Sequence, residues 1–287
     1  MNKIKLNAFF ELTKPRITLM VLVTTLLGFY CAQRGIHDWG LLVYTLLGAG
    51  LTCAGAAVLN NYLDRDADAL MLRTKNRSLP SGVLSSSEAL SFGISLTLVG
   101  VIILCVKVNL LTAFLSLLTS FLYTLVYTPM KRISWFNTTI GAIPGAIPPM
   151  GGWAAARGEL GIEAWILFAI LFIWQHPHFF AIAWIFKDDY RKAGFKMLPV
   201  VDPDGKSTFQ QTIWFSALLI LISLLPSMIG MAGRVYFWGA LIAGILLFQV
   251  GWQLRKSHST ADAYKLLKAS VIYLPILLFL IVFDVTF

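Results

Sequence analysis

Nine predominantly apolar runs dominate this chain, near residues 16–33, 41–62, 87–106, 109–127, 138–156, 163–185, 208–230, 235–254 and 267–285. Each approaches or exceeds the about 20 residues that an α-helix needs to cross the hydrocarbon core of a bilayer. The pattern predicts an all-α membrane protein with nine transmembrane helices, in one transmembrane domain covering residues 1–287. Composition agrees, since 13% of the residues are charged against roughly 25% in a soluble chain. A membrane β-barrel is excluded, because its strands need period-2 alternation in short, evenly spaced segments, and these runs are long and unbroken in Leu, Ile and Phe.

The net charge of +9 raises the question of nucleic acid, and its placement answers it. With the N-terminus in the cytoplasm, 19 of the 23 Lys and Arg fall on the inner side. Only Arg34, Lys107, Arg157 and Arg234 fall on the outer side. The asymmetry has the sign of the positive-inside rule, so the basic excess orients the protein in a bacterial cytoplasmic (inner) membrane, and no nucleic-acid partner is expected. Cys31, Cys53 and Cys105 lie inside apolar runs, without the spacing of a metal or disulfide framework. The first run continues past signal-peptide length without a cleavage site and is read as a retained helix.

Two polar segments are long, residues 63–86 and 186–207, and both fall on the cytoplasmic side. Each runs from an Asp-rich stretch through basic residues to Leu-Pro (Leu79-Pro80 and Leu198-Pro199) and a glycine turn. As geometry, a duplication of this kind would place two acidic helix ends around one cavity. Within the first segment, Asn60, Asp64 and Asp68 are spaced four and four, which stacks them on one helix face, and Asp66 points elsewhere. One amide and two carboxylates form a hard-oxygen column suited to Mg2+, with the remaining ligands coming from a diphosphate. Arg73, Lys75 and Arg77 follow and would neutralise the same diphosphate, arginine through its planar fork. The plainer reading is a solvated helix cap beside orienting charge, which leaves unexplained why so many polar groups stand at a membrane boundary.

The pattern Asn-x-x-x-Asp-x-x-x-Asp, then Arg-x-x-x-Arg and Leu-Pro-Ser-Gly, resembles the first acidic motif of the UbiA-type intramembrane prenyltransferases. That family carries nine helices and moves an isoprenyl chain from its diphosphate to an acceptor. The resemblance implies that Tyr127, Lys131 and Arg132 in the YTPMKR stretch help hold the diphosphate, beside Arg73, Arg77 and Lys187.

Two further stretches bear on the acceptor. Residues 137–155 hold four glycines and three prolines (Gly141, Gly145, Gly151, Gly152, Pro144, Pro148 and Pro149). Such a helix would pack closely on its neighbours or offer a wall for a broad flat ligand. WQHPHFF places His176 and His178 inside the bilayer on different helix faces, 11 residues before Asp189 for His178, or about 16 Å if the helix is continuous. Ionisable groups at that depth are functional by default, and imidazole binds haem iron. Pro177 leaves the carbonyl of Ile173 without its usual donor, which loosens the helix there. The plainer alternative is a buried, hydrogen-bonded histidine pair. Both stretches, with Lys187, Asp188 and Asp189, look like the haem-farnesylating members of the family. The second motif departs from the wider family's Asp-x-x-x-Asp, because Lys192 and Ala193 stand where the second carboxylate would be.

The resemblance implies farnesyl diphosphate and haem B as substrates, haem O as product and Mg2+ as cofactor, and downstream haem-modifying or oxidase-assembly partners. Asn60, Asp64, Asp68, Asp188 and Asp189 would be catalytic, the first three as metal ligands, and His176 or His178 would meet the haem. Two alternatives differ in what they require. A family member acting on an aromatic ring, such as a hydroxybenzoate or quinone precursor, shares the acidic column but has no use for His-Pro-His. A carrier or haem-handling protein without catalysis would line a path through the membrane with charge, whereas the acidic residues here gather at one face.

Overall fold

Pro15, Ser85, Asn109 and Ser259 punctuate the chain at helix starts, and the helices they open carry most of its length. The computed structural model describes residues 3–285. In chain order the helices are α1 (Lys3–Leu12), α2 (Pro15–Gln33), α3 (Trp39–Asp68), α4 (Ser86–Lys107), α5 (Leu110–Phe121), a π-helical turn (Leu122–Tyr127), α6 (Thr128–Ile133), α7 (Asn137–Arg157), α8 (Ile162–Ile185), α9 (Lys187–Lys192), α10 (Leu198–Val201), α11 (Lys206–Met228), α12 (Arg234–Ser257) and α13 (Thr260–Phe283). Sequence caps set several boundaries. Asp38 accepts from Leu41 N–H at the start of α3, and Ser85 and Glu88 close a reciprocal capping box on α4.

Eight of the described helical segments are long and apolar enough to cross a membrane, with α5, the π-turn and α6 forming one of them. The expectation of nine such segments is not met by that measure. The ninth, α7, is a helix of 21 residues, but its glycines, prolines and alanines carry too little apolar surface to reach the same hydropathy. Burial takes the place of apolarity: Ala142, Ala146 and Ala154 are fully enclosed. Large side chains such as Trp214, Phe279 and Ile102 stand outward on the surrounding helices, as lipid contact requires.

Small residues decide how closely the helices approach. Gly48 and Gly55 on α3 face Gly100 and Gly93 on α4, where a Cβ added at Gly48, Gly55 or Gly100 would stand 2.6–2.9 Å from the opposing carbonyl and one at Gly93 would meet Leu59. On the other side, Gly152 of α7 lies against the Thr25 carbonyl and Gly28 of α2 against that of Pro149. Backbone-to-backbone contact of this kind replaces the hydrophobic drive that is missing between helices in lipid. The glycine-rich stretch of α7 therefore serves mainly as a packing surface. Gly141 is covered by the Tyr127 ring and Gly145 by Gln175, and Gly151 alone of its four glycines has open space beside it. Helix α8 stands between α7, α11 and α13 and contributes much of the largest buried cluster.

Candidate active site

Helix α3 continues without a break to Asp68, so the four-residue spacing becomes a physical column. Asn60, Asp64 and Asp68 are 4%, 7% and 2% exposed, and all three line one cavity of about 710 Å3. Asp66 is outside it, with its side chain 73% exposed beside Arg65.

Each member of the column is matched to a cation. Buried Lys131 donates to Asp64 Oδ2 in a short contact. Arg77 Nη1 donates to Asp68 Oδ2 at 2.8 Å and to Asn61 Oδ1 at 3.4 Å. Lys14 Nζ donates to Asn60 Oδ1 at 2.6 Å, while the Asn60 amide donates to Asp64 Oδ2 at 3.0 Å and Thr128 Oγ1 at 2.9 Å. Five basic and three acidic side chains line the cavity, so its balance favours an anionic occupant. Among the described residues no group of three carboxylate, histidine or cysteine side chains converges. The column therefore offers two carboxylates and one amide oxygen, and a cation held there must complete its shell from another molecule.

Lys14 and Tyr123 are functional candidates that the sequence analysis passed over. Lys14 reads as one more orienting charge, but Pro15 opens α2 directly after it, and Lys14 takes the left-handed conformation (φ 48°) that turns its side chain to Asn60. Burial, then the nearby charges of Arg77 and Lys131, push its pKa down to about 7. Tyr123 is brought in by the π-turn. Pro129 cannot donate to the carbonyl of Leu125, and the turn widens, with Thr128 N–H and Oγ1 both reaching Tyr123 O. Wide turns of this kind concentrate at functional sites. Tyr123 donates its hydroxyl to Asn60 Oδ1 at 3.3 Å, stacks on Tyr127 at 5.6 Å, and Tyr127 carries Lys131 over its ring at 5.3 Å.

The second polar segment meets the first in a different way from the one its sequence suggests. Its acidic residues open α9 instead of ending α8. Asp189 accepts from the backbone N–H of Leu72 (3.4 Å) and Arg73 (3.3 Å), and Asp188 pairs with Arg191 in the open. Neither lines the cavity, nor do Lys187, which lies over Trp184, and exposed Arg132. Arg73, Tyr127, Tyr190 and Phe195 do line it, and burial raises the Tyr190 hydroxyl's pKa. The expected pair of acidic helix ends around one cavity is thus one acidic column and one acidic tie.

Helix α8 runs unbroken through Pro177 and ends at Ile185, so His178 lies about 10 Å from the helix end at 1.5 Å per residue, less than a helix continued to Asp189 would give. The two histidines do face different helices. His176 is enclosed against Thr139 of α7 and Phe215 of α11, and His178 meets Ser270 of α13. Neither lines the polar cavity.

The UbiA prenyltransferase family model matches residues 21–277. The chain belongs to the UbiA prenyltransferase family. Among its relatives in that family, the protoheme IX farnesyltransferase of Solibacter usitatus is 44% identical over 285 residues, covering 96% of this chain and 98% of its own. That of Salinibacter ruber is 43% identical over 273 residues, covering 95% and 96%. Among solved structures, one of a digeranylgeranylglyceryl phosphate synthase superposes with a TM-score of 0.83 at 19% identity, covering 98% of each chain. A UbiA homologue from Archaeoglobus fulgidus bound to GPP and Mg2+ gives 0.68 at 17% identity, covering 96% of this chain and 99% of its own. At these identities the structural likeness speaks for the fold, and the closer sequence relatives carry the functional comparison.

Proposed function

We propose that this protein transfers a farnesyl group from farnesyl diphosphate to a vinyl group of haem B, giving haem O, with the diphosphate held at the cytoplasmic face of an inner-membrane bundle. The observation that carries the reading is the buried column Asn60, Asp64 and Asp68, matched one to one with Lys14, Lys131 and Arg77 around a single cavity. The relatives named above supply the acceptor, and the intramembrane histidines of α8 fit it. An aromatic-ring acceptor would have no use for an imidazole nitrogen as a ligand. We also read α7 as a ninth membrane-embedded helix and the N-terminus as cytoplasmic, from the charge asymmetry.

The donor set suits Mg2+, whose ligands would be Asp64, Asp68 and the Asn60 amide oxygen. When bound, the ion would neutralise charge on the diphosphate and ease its departure. The chain's own groups do the rest. A diphosphate in the cavity meets Lys131 and Arg77 already held beside the carboxylates, so cations and oxygen ligands are in position before the substrate arrives. Lys14, Lys131, Arg77 and Arg73 spread the negative charge that develops on the leaving oxygen, an effect of several kcal/mol in preorganised sites. The farnesyl C1–O bond breaks, and the carbon gains allylic cation character. The electron pair of a haem vinyl group forms the new C–C bond. The cation left beside the porphyrin takes up one water and releases one proton, giving a hydroxyethylfarnesyl substituent. Asp189 acts at one remove, holding the backbone from which Arg73 projects.

The test combines purified protein, haem B, farnesyl diphosphate and Mg2+ and separates the products by mass. Haem O is the expected product. Unchanged haem together with prenylation of a hydroxybenzoate would overturn the choice of acceptor.

A further inference from the structure

Hydrogen-bond chemistry distinguishes the two histidines of α8, which the sequence leaves equivalent. His176 places Nδ1 at 2.8 Å from the Phe172 carbonyl. A carbonyl only accepts, so Nδ1 carries the proton and the lone pair is on Nε2. That lone pair is taken by the Thr139 hydroxyl at 3.2 Å. The ring is 0% exposed and lies face to face with Phe215 at 3.7 Å. His176 has no free ligating atom and no room for one.

His178 is the converse. Its Nδ1 is 2.9 Å from Ser270 Oγ. Ser270 has a single hydroxyl proton and donates it to the Leu267 carbonyl at 2.7 Å, so towards the imidazole it only accepts. The two contacts of Ser270 Oγ are made together only with the proton on Nδ1. The bare lone pair is on Nε2, which has no hydrogen-bond partner among the described residues and is not among their enclosed, unsatisfied atoms. The ring plane is fixed by stacking on Trp174 (4.8 Å between centroids, 20° between planes), and Trp174 is itself anchored through Nε1 to the Ser270 carbonyl at 2.8 Å. A neutral imidazole with one nitrogen tied to an acceptor and the other without a partner is the form that binds a metal. The remaining histidines offer nothing comparable. His37 bonds the Gln33 carbonyl in an outer loop, and His258 caps the end of α12.

We infer that His178 Nε2 is the axial ligand to the iron of the haem substrate, that Ser270 sets its tautomer and orientation, and that His176 is a packing wedge between α8, α7 and α11. The inference rests on the haem-acceptor reading above and deepens it.

The experiment titrates haem B into the full-length protein in detergent and follows the Soret band and the low-spin imidazole signature, with product formation measured in parallel. His178→Gly should lose the imidazole signature, and added free imidazole should restore it, a rescue that a merely structural histidine would not show. His176→Asn should keep the signature. Ser270→Ala should weaken haem affinity about tenfold, the size of effect expected when the partner of a ligating histidine is removed. An unaltered signature in His178→Gly overturns the assignment, as does its loss in a folded His176→Asn, or failure of imidazole to rescue His178→Gly. Wild-type protein that forms haem O without any imidazole signature also overturns it, while leaving the proposed reaction intact. Wild-type protein that forms no haem O defeats the proposed reaction instead.

Discussion

The two long polar segments look alike in sequence and do different work in the structure. Residues 63–86 and 186–207 both run through Asp, then Lys and Arg, then Leu-Pro. In the first, α3 continues as one helix to Asp68, so its polar residues share a face and are buried against cations. In the second, α8 ends at Ile185 with Phe186 as a break (φ −107°), and Asp188 and Asp189 open a separate six-residue helix on the surface. Helix continuity, and not the number of carboxylates, decides which acidic cluster becomes a site. The carboxylate of the second segment that bridges to the first, Asp189, uses both oxygens on the first segment's backbone.

That contrast is most exposed to failure at its strongest point. Asp64→Ala or Asp68→Ala should reduce turnover on the order of 1000-fold with the protein still folded in detergent. Because each also strands a cation, the companion Asp64→Asn keeps the shape and should lose nearly as much. Steady-state assays showing normal turnover with both aspartates replaced would remove the column from the mechanism. Next in size, Lys14→Met should raise the KM for farnesyl diphosphate about tenfold with a smaller change in kcat, as loss of one charge-assisted contact implies.

Lys14 also gives the comparison a pH signature. Its pKa is depressed from the usual lysine range to about 7, so the side chain is charged below that pH and neutral above it. Diphosphate affinity should therefore fall as pH rises through about 7, and Lys14→Arg should flatten that fall. A KM profile of wild type and Lys14→Arg that superimpose would show that Lys14 does not govern binding. Smaller still, Asp189→Asn should change activity by roughly threefold, through loosening of the Leu72 and Arg73 backbone, since the amide keeps one acceptor oxygen and sets its NH2 against the other N–H. The least effect belongs to Asp188→Ala, expected within about twofold because exposed ion pairs contribute little. A large loss there would restore the second segment to the catalytic site.

Much of this protein was legible in the sequence by itself. Apolar run length gave the helical membrane class, charge asymmetry gave an orientation to test, and the four-residue spacing of Asn60, Asp64 and Asp68 gave the column, because helix geometry is local and periodic. Tertiary structure decided what local periodicity does not encode. It assigned Lys131 to Asp64 across 67 residues of chain, turned Lys14 from an orienting charge into a contact on Asn60, and brought Tyr123 to the site through a widened turn at Pro129. It also sent Asp189 to the opposite loop and separated His176 from His178 by their partners on three other helices. Each outcome depends on which surface lies opposite a side chain, and that is set by close approach of glycine faces and by where one helix breaks while another runs on.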